Sequence, residues 1–476
     1  MRAARRILIV ANRLPVTVAT TDGSVELRPS SGGLATALSR VRRRHPSLWI
    51  GWTGLSESPE PASRRTVDLQ LRAQGMVAVH LSRAEVTGFY RRYANEMLWP
   101  VLHDMTAHDD GHATWQMYRD VNAKFADAIV RELRPGDLVW IHDYHLMLVP
   151  RLIRQRCPWA RIGFFLHTPF PAVSSFAGVE QATALLDGLL GADVVGVHTN
   201  EHARNLSAAI GTILRRPMCD EIVSDLGRDV RILPCPISVD IATLGKIGAD
   251  PHIATAAREL RGDGLLFAGV DRLDYTKGIP QRLRAFEQLL EEEPDLVGRA
   301  RLLQLAVPSR GDVGGYSRLR VEVEAIVARI NDRWRKVNWK PIDYRFENFS
   351  MNAVAALYRA ADVMLVTPLR DGMNLVAKEF VATRSDGDGV LVLSKGAGAA
   401  AELSTALLVE PENERTITDA CAAAINMLRG ERRVRMRRLR STVANHDVFR
   451  WADRNLSALG RFEMTAFEAP AQVNRA

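Results

Sequence analysis

Long apolar runs are missing from this 476-residue chain. No stretch approaches the ~18 residues that a membrane-spanning helix needs, so no membrane span is expected. The N-terminus, MRAARRILIVANR, opens like a secretory leader. Its apolar run stops at Asn12-Arg13 after about five residues, too short for a leader's hydrophobic segment. Cysteine is scarce: Cys157, Cys219, Cys235 and Cys421 stand far apart, at neither metal nor redox spacing. That argues against a disulfide framework and predicts free thiols in a reducing compartment, hence a cytoplasmic protein. Lysine is scarce as well, since almost all of the 63 basic side chains are Arg, and the net charge is +8. No dense basic run is interleaved with aromatics. The tightest cluster, RGERRVRMRRLR at 429–440, reads as the exposed face of a helix. Nucleic acid is therefore not an expected partner, and phosphorylated small molecules suffice as anionic ligands.

What is present is an ordinary globular composition, 47% hydrophobic and 25% charged, long enough for two or three domains. Apolar strand candidates recur at 7–11, 48–52, 77–81, 138–142, 162–166 and 193–198. A second series stands at 265–270, 301–307, 363–367, 390–394 and 406–409. Helical patterns such as 33–44, 118–133, 317–331 and 352–361 lie between them. Strands apolar on both faces, alternating with amphipathic helices, predict an α/β protein with parallel sheets covered on both sides. A strand at 231–233 and the Pro234…Pro236 pair close a first domain, residues 1–238. An Ala-rich helical stretch, 239–262, leads into a second domain, 239–446, and a last helix, about 447–462, follows Asn445-His446 within a terminal segment 447–476.

Polar groups gather where these strands end. LVTPLRDGMNLVAKEF, 365–380, reads as a strand stopped by Pro368, a turn from Leu369 to Asn374, and a helix from Leu375. Such a helix start offers free N–H groups and the positive end of its dipole to an anion. Asp371 lies in the turn and Glu379 on the second helical turn, where a carboxylate can accept two ribose hydroxyls. LLFAGVDRLDYTKGIPQR, 265–282, repeats the design and carries Arg272 and Lys277, a fork and a point charge suited to a diphosphate. ILIVANR, 7–13, ends in Arg13, and Ser31-Gly32-Gly33 then open a helix. LVWIHDYH, 138–145, and RIGFFLHTPFP, 161–171, put Asp143 and His167 just past strand ends, where open parallel sheets bind ligands. Taken singly, each pattern also suits an ordinary strand–turn–helix connection or a surface charge pair.

Three further patterns compete. GAGAAA at 396–401 matches a dinucleotide fingerprint, but Glu410, which ends the next strand, sits too near to be its acidic partner. Asp386-Gly387-Asp388 matches a metal-binding DxD signature but falls in a polar turn, which explains it better. His142 and His145 flank Asp143 with no third ligand at metal spacing, and His142 reads as a packed core histidine.

The motifs ANRLP, SGGL, the Tyr90…Trp99-Pro100 stretch, WIHDYHL, GFFLHTPFP, VDRLDYTKG, PSRGDV and TPLRDGMNLVAKE, in this order, resemble the trehalose-6-phosphate synthase family of retaining glycosyltransferases from about residue 7 to 460. The resemblance implies a GT-B fold, in which two Rossmann-like domains face each other across a cleft and the last helix crosses back. It implies transfer of glucose from a nucleotide-glucose, UDP- or GDP-glucose, to glucose 6-phosphate, giving α,α-trehalose 6-phosphate. It also implies front-face substitution with retention, no metal or other cofactor, and a homodimer or homotetramer. The donor base stays open, since uracil, guanine and adenine all suit a backbone-lined slot.

By motif position the resemblance places Arg272, Lys277, Asp371, His167 and Asp143 in the catalytic set. It places the donor against Gly33, His167, Phe349, Gly372, Met373, Asn374, Leu375, Val376 and Glu379 as well. Arg13 and Arg310 would bind the acceptor phosphate, Gly33 would let backbone approach the ligand, Tyr90 and Trp99 would wall the acceptor, and Asp143 would orient its hydroxyl. The chain departs from the family pattern at Thr168, at Gly178-Val179-Glu180, and in a shorter 199–230 region. Those departures flank the cleft and keep other readings open: a glucosylglycerol-phosphate synthase, a pseudo-glycosyltransferase, or a non-catalytic sugar-phosphate sensor.

Overall fold

The computed structural model describes residues 5–21, 24–29, 32–56, 61–107, 111–308 and 314–461. Two twisted sheets organise them. The first has nine strands in the spatial order Met76–Val79, Ser47–Trp52, Ile7–Arg13, Leu138–His142, Arg161–Phe165, Val194–Val197, Arg228–Pro234, Ile222–Asp225 and Met218–Cys219. Its first seven strands are parallel and the last two pair antiparallel. The second has six parallel strands in the order Ile342–Phe346, Ala300–Val307, Leu265–Arg272, Val363–Val366, Val390–Ser394 and Leu407–Val409.

The first strand shows why the sheets form. Ile7, Ile9 and Ala11 pack into one apolar cluster, while Leu8 and Val10 pack into another on the opposite face. Helices must therefore cover both sides, and right-handed crossovers supply them. Strand order then decides where ligands can sit. In each sheet the chain lays its first strand, runs outward to one edge, and returns to the other side of that first strand. The return leaves a crevice between Ile7–Arg13 and Leu138–His142 in one sheet, and between Leu265–Arg272 and Val363–Val366 in the other. These are topological switch points, where diverging connections open a binding crevice beyond the strand ends.

We place the domain division near residue 238, between the strand Arg228–Pro234 and the helix Ile241–Ala249. The helical stretch expected over 239–262 is two helices, because Asp250-Pro251 stops Ile241–Ala249 and restarts Pro251–Arg261, with Asp250 accepting from the His252 N–H. The last helix, Val448–Arg461, packs on Arg161–Phe165, Val194–Val197 and the helix Gly33–Arg42. Its Trp451 ring lies 4.9 Å from Trp140 and 5.2 Å from Phe165.

The basic cluster 429–440 lies on a helix, Arg429–Asn445, but its expected exposed face is partly engaged. Arg432 pairs with Asp388, and Arg440 donates to the Val381 and Ala382 carbonyls that end the helix Leu375–Thr383. Three elements have weak sequence signals: the hairpin Val16–Thr21/Ser24–Pro29, the edge strand Ile342–Phe346, and the helix Val86–Leu98. The last is wound wide, the Trp99 N–H bonding five residues back to Ala94, so a 3.6-residue periodicity misses it. Among the described residues no helix is long and apolar enough to cross a membrane.

Candidate active site

The two switch points face each other. On the N-terminal side the strand Ile7–Arg13 ends with the Arg13 guanidinium 4.9 Å over the Trp52 ring. Gly54, at φ +86°, leaves the space that the guanidinium fills. Burial pushes the Arg13 pKa below its ordinary value, slightly opposed by Tyr90. Its Nε has no hydrogen-bond partner and, among the described residues, no carboxylate pairs with it. A desolvated cation in that state is a ready anion site. Tyr90 lies beside it, 5.3 Å from Trp52 and stacked on His145 at 5.8 Å and 15°. Trp99 is buried, 4.1 Å from His103, and Arg272 of the other domain lies 5.5 Å over its ring.

Asp143 follows the strand Leu138–His142 at φ 77°, ψ 164°. That region is essentially glycine's, and a side chain held there costs about 1–3 kcal/mol. Its N–H donates to Phe165 O at 2.8 Å, and its Oδ1 accepts the His167 N–H at 3.2 Å. The strained residue therefore aligns two adjacent strand ends. His167 Nε2 lies 3.1 Å from His142 Nδ1. Burial pushes His142 down to about 3 and, with the mutual repulsion of neighbouring imidazoles, His167 well below its ordinary range. Both rings are neutral near pH 7.

On the C-terminal side Lys277 is buried, and its Nζ donates to Asp371 Oδ2 at 2.6 Å. Burial alone would raise the Asp371 carboxyl, but the Lys277 ammonium, with help from Arg272, brings it below its usual value. Asn374 donates to the same oxygen at 3.1 Å and takes the left-handed conformation, φ 70°. Its Oδ1 is buried without a partner and does not cap the helix Leu375–Thr383, whose first-turn N–H groups are left without a side-chain acceptor at the N-cap. Glu379 accepts from the Tyr358 hydroxyl at 2.9 Å, and burial raises its pKa against that bond. Phe349, Leu375 and Val376 are half-buried against one apolar cluster, and Met373 is buried within it. Arg272 is nearly half exposed, 3.8 Å from Asp274 Oδ2.

The tips on this side are braced from below. The buried Arg282 donates to Asp271, to Gln304 Oε1 at 2.8 Å and to Thr367 Oγ1 at 3.0 Å, tying three neighbouring strands together. GAGAAA serves the neighbouring loop instead of a dinucleotide. Gly396 O accepts the Asp371 N–H at 2.9 Å, the Gly398 N–H donates to Asp371 O at 3.1 Å, and the Ala399 N–H donates to Met373 O at 2.8 Å. Asp386 and Asp388 pair with Arg384, Arg359 and Arg432.

The domains meet at glycines. A Cβ on Gly33 would lie 3.0 Å from Leu375 Cδ1, and one on Gly372 would run into the His167 carbonyl oxygen. Gly372→Ala is expected to lower turnover about tenfold or more with little change in melting temperature, because the methyl pries the domains apart without entering either core. Steady-state kinetics beside a thermal melt checks it, and unchanged turnover would show that this close approach is not needed.

Ser31 and Arg310 lie outside the described residues. Among the others, Arg13 meets Tyr90, Arg272 meets Trp99, Lys277 and Asn374 meet Asp371, Asp143 meets His167, and Gly33 and Gly372 close on Leu375 and His167, whereas Phe349 follows the edge strand Ile342–Phe346 and Glu379 is held by Tyr358. Trp52, Gly54, Tyr358 and Asn374's loop-bracing amide were not anticipated, although GWTG at 51–54 follows a strand end much as the other motifs do. A cavity of about 1220 Å³ lies beside the two interdomain crossovers, lined by His198, Arg370, Glu402 and Trp451 among others. None of Arg13, Lys277, Asp371 or Glu379 lines it, so volume alone does not mark this chemistry.

The profile of "Glycosyltransferase family 20" matches residues 5–461. The chain belongs to that family. Family 20 relatives include the trehalose-6-phosphate synthase of Mycolicibacterium gilvum, 41% identical over 96% of this chain and 94% of that protein. The chain spans 62% of the length of a bifunctional trehalose-6-phosphate synthase/phosphatase from Thermoproteus tenax, 40% identical over 94% of this chain. An α,α-trehalose-phosphate synthase (UDP-forming) from Burkholderia xenovorans, in complex with glucose-6-phosphate, superposes with a TM-score of 0.84 at 32% identity, covering 96% of this chain and 100% of that one. An E. coli structure bound with UDP-2-fluoro glucose superposes with a TM-score of 0.84 at 31% identity over 96% and 99%. The paired sheets of this family 20 chain are a GT-B fold, and it is a glycosyltransferase of the trehalose-6-phosphate synthase group.

Proposed function

We propose that this chain transfers glucose from UDP-glucose to glucose 6-phosphate with retention, forming α,α-trehalose 6-phosphate. The observation that carries the proposal is the facing of two switch points. One holds Arg13, partly buried and paired with no carboxylate among the described residues; the other holds Lys277, Arg272 and an uncapped helix start. Arg13 takes the acceptor phosphate, Tyr90 and Trp99 wall the acceptor sugar, and Asp143 orients its hydroxyl. Lys277, Arg272 and the N–H groups of Leu375 and Val376 take the donor diphosphate, and Glu379 takes the ribose. Asp371, with Gly372, Met373 and Asn374, holds the donor glucose against His167. Uracil is the favoured base because synthases described as UDP-forming or bound to a UDP sugar share this architecture.

As the anomeric C–O bond breaks, negative charge grows on the diphosphate. Fixed cations and backbone dipoles there favour the transition state over the intact donor. The departing phosphate oxygen takes the proton of the incoming hydroxyl on the same face. Because Lys277 and Arg272 supply the positive charge, transfer is expected without a divalent ion.

The test is to mix the protein with glucose 6-phosphate and UDP-, GDP- or ADP-glucose, with and without chelator, and identify the products. A non-reducing disaccharide phosphate formed from UDP-glucose in chelator is the expected result. Activity that vanishes in chelator and returns only with a divalent ion would overturn the metal-free step.

A further inference from the structure

One residue of the interdomain crossover, Ile237, is hydrogen-bonded through its backbone to the candidate site elements of both domains. On one side the Ile237 N–H donates to His198 Nδ1 at 3.4 Å, and His198 Nε2 donates to the His167 carbonyl at 3.2 Å. On the other side Ile237 O accepts from Lys378 Nζ at 2.8 Å, and Lys378 sits next to Glu379 on the helix Leu375–Thr383. Lys378 also donates to Glu402 Oε2 at 2.5 Å, and Glu402 is 3.5 Å from His446 in the second crossover. His198, Ile237 and Lys378 are each no more than 2% exposed, so water does not compete for these bonds.

We propose that His198 and Lys378 are positioning residues that set the register of the two domains through the backbone of Ile237, and thereby hold His167 against the Asp371 loop. The N–H of Ile237 is read by a strand-end histidine and its carbonyl by the diphosphate-side helix. The far end of the chain, the His167 carbonyl, is the atom against which Gly372 closes. A shift of the Ile237 backbone therefore moves both walls of the donor sugar pocket. Burial and the neighbouring His167, His202 and Lys378 keep His198 neutral, which leaves its ring one donor and one acceptor, as the two bonds require. The competing account is a buried ion pair and a packed histidine that serve only stability.

This inference rests on the proposed placement of the donor glucose at His167 and Asp371, and the experiment separates the two. His198→Asn keeps an acceptor near the Nδ1 position but has no donor that reaches the His167 carbonyl. Lys378→Met removes the ammonium at similar volume. Kinetics with UDP-glucose and glucose 6-phosphate, and thermal melts, are measured for both variants, their double mutant and His167→Ala. Each single variant is expected to lose about tenfold or more in kcat, with both KM values within about threefold of wild type. The double mutant should lose no more than the worse single, because one broken peptide contact already frees the register.

Losses that multiply in the double mutant, or lower melting temperatures with unchanged kcat, would make these residues ordinary core contacts and overturn the proposal. Should Lys378→Met not fold, Lys378→Leu, which likewise has no donor, takes its place in the cycle under the same criteria. If His167→Ala loses turnover while His198→Asn and Lys378→Met do not, the relay alone falls. If His167→Ala keeps wild-type turnover, the donor placement falls, and the relay with it.

Discussion

Lys277→Met is expected to cut kcat about a hundredfold or more while the KM for glucose 6-phosphate changes little. The Lys277 ammonium is buried against Asp371 at 2.6 Å in the free protein. One of its three N–H bonds serves that carboxylate, which leaves two for a diphosphate. The interaction strengthens as the bond to the sugar breaks, so its loss raises the barrier more than it weakens binding. Losing one such electrostatic donor costs on the order of 3 kcal/mol, about a hundredfold in rate. Removing the cation also leaves Asp371 buried and unpaired, which costs stability on the order of 3–5 kcal/mol. Lys277→Met/Asp371→Asn removes both charges and should recover much of the melting temperature without recovering turnover. Near-normal kcat with only a raised acceptor KM would take Lys277 out of the donor site. Arg272→Ala should act in the same direction and expose the face of Trp99 as well, since the guanidinium lies over that ring.

Arg13→Ala should abolish most of the preference for glucose 6-phosphate over free glucose. The folded chain already bears much of the cost of burying this guanidinium, with no carboxylate among the described residues paired to it, so an incoming phosphate meets a cation that has already lost part of its hydration. Charge-assisted bonds of this kind contribute about 1.5–3 kcal/mol, so kcat/KM with the phosphorylated acceptor should fall by roughly tenfold to more than a hundredfold. The residual rate with free glucose should hardly move. The ratio of the two efficiencies, in wild type and variant, is the measurement that decides. An unchanged ratio would mean that Arg13 only fills the space between Trp52 and Gly54, and the acceptor phosphate would then lie elsewhere.

Much of this site could be read before the fold was known. Arg13, Asp143, His167, Arg272, Lys277 and the Asp371 loop all stand at the ends of short apolar runs, and a parallel strand needs no partner information to be apolar on both faces. The edge strand Ile342–Phe346 was hidden because its Asp343 and Arg345 break the apolar run, as suits a strand half open to solvent. GAGAAA carried the opposite hazard. Its glycines are required by the close approach of the Leu369 and Gly372 backbone, and a pattern match cannot tell which ligand or loop a glycine makes room for. The 429–440 arginines misled for a related reason: a charge run shows polarity but not which carbonyl or carboxylate another segment will bring to it.

By itself the sequence determined the α/β class, the positions of most strands and the polar groups at their tips, because local periodicity and punctuation encode them. Strand order was decided only in three dimensions. Order alone sets Arg13 beside Asp143 and Arg272 beside the Asp371 loop, since a switch point exists only when connections diverge to opposite sides. The tertiary structure likewise decided that Lys277 neutralises Asp371 while Arg13 meets no carboxylate among the described residues, although each is a basic residue near a strand end. Which cation finds a carboxylate depends on what a distant segment brings within about 3–4 Å, and one chain's spacing carries no record of that distance.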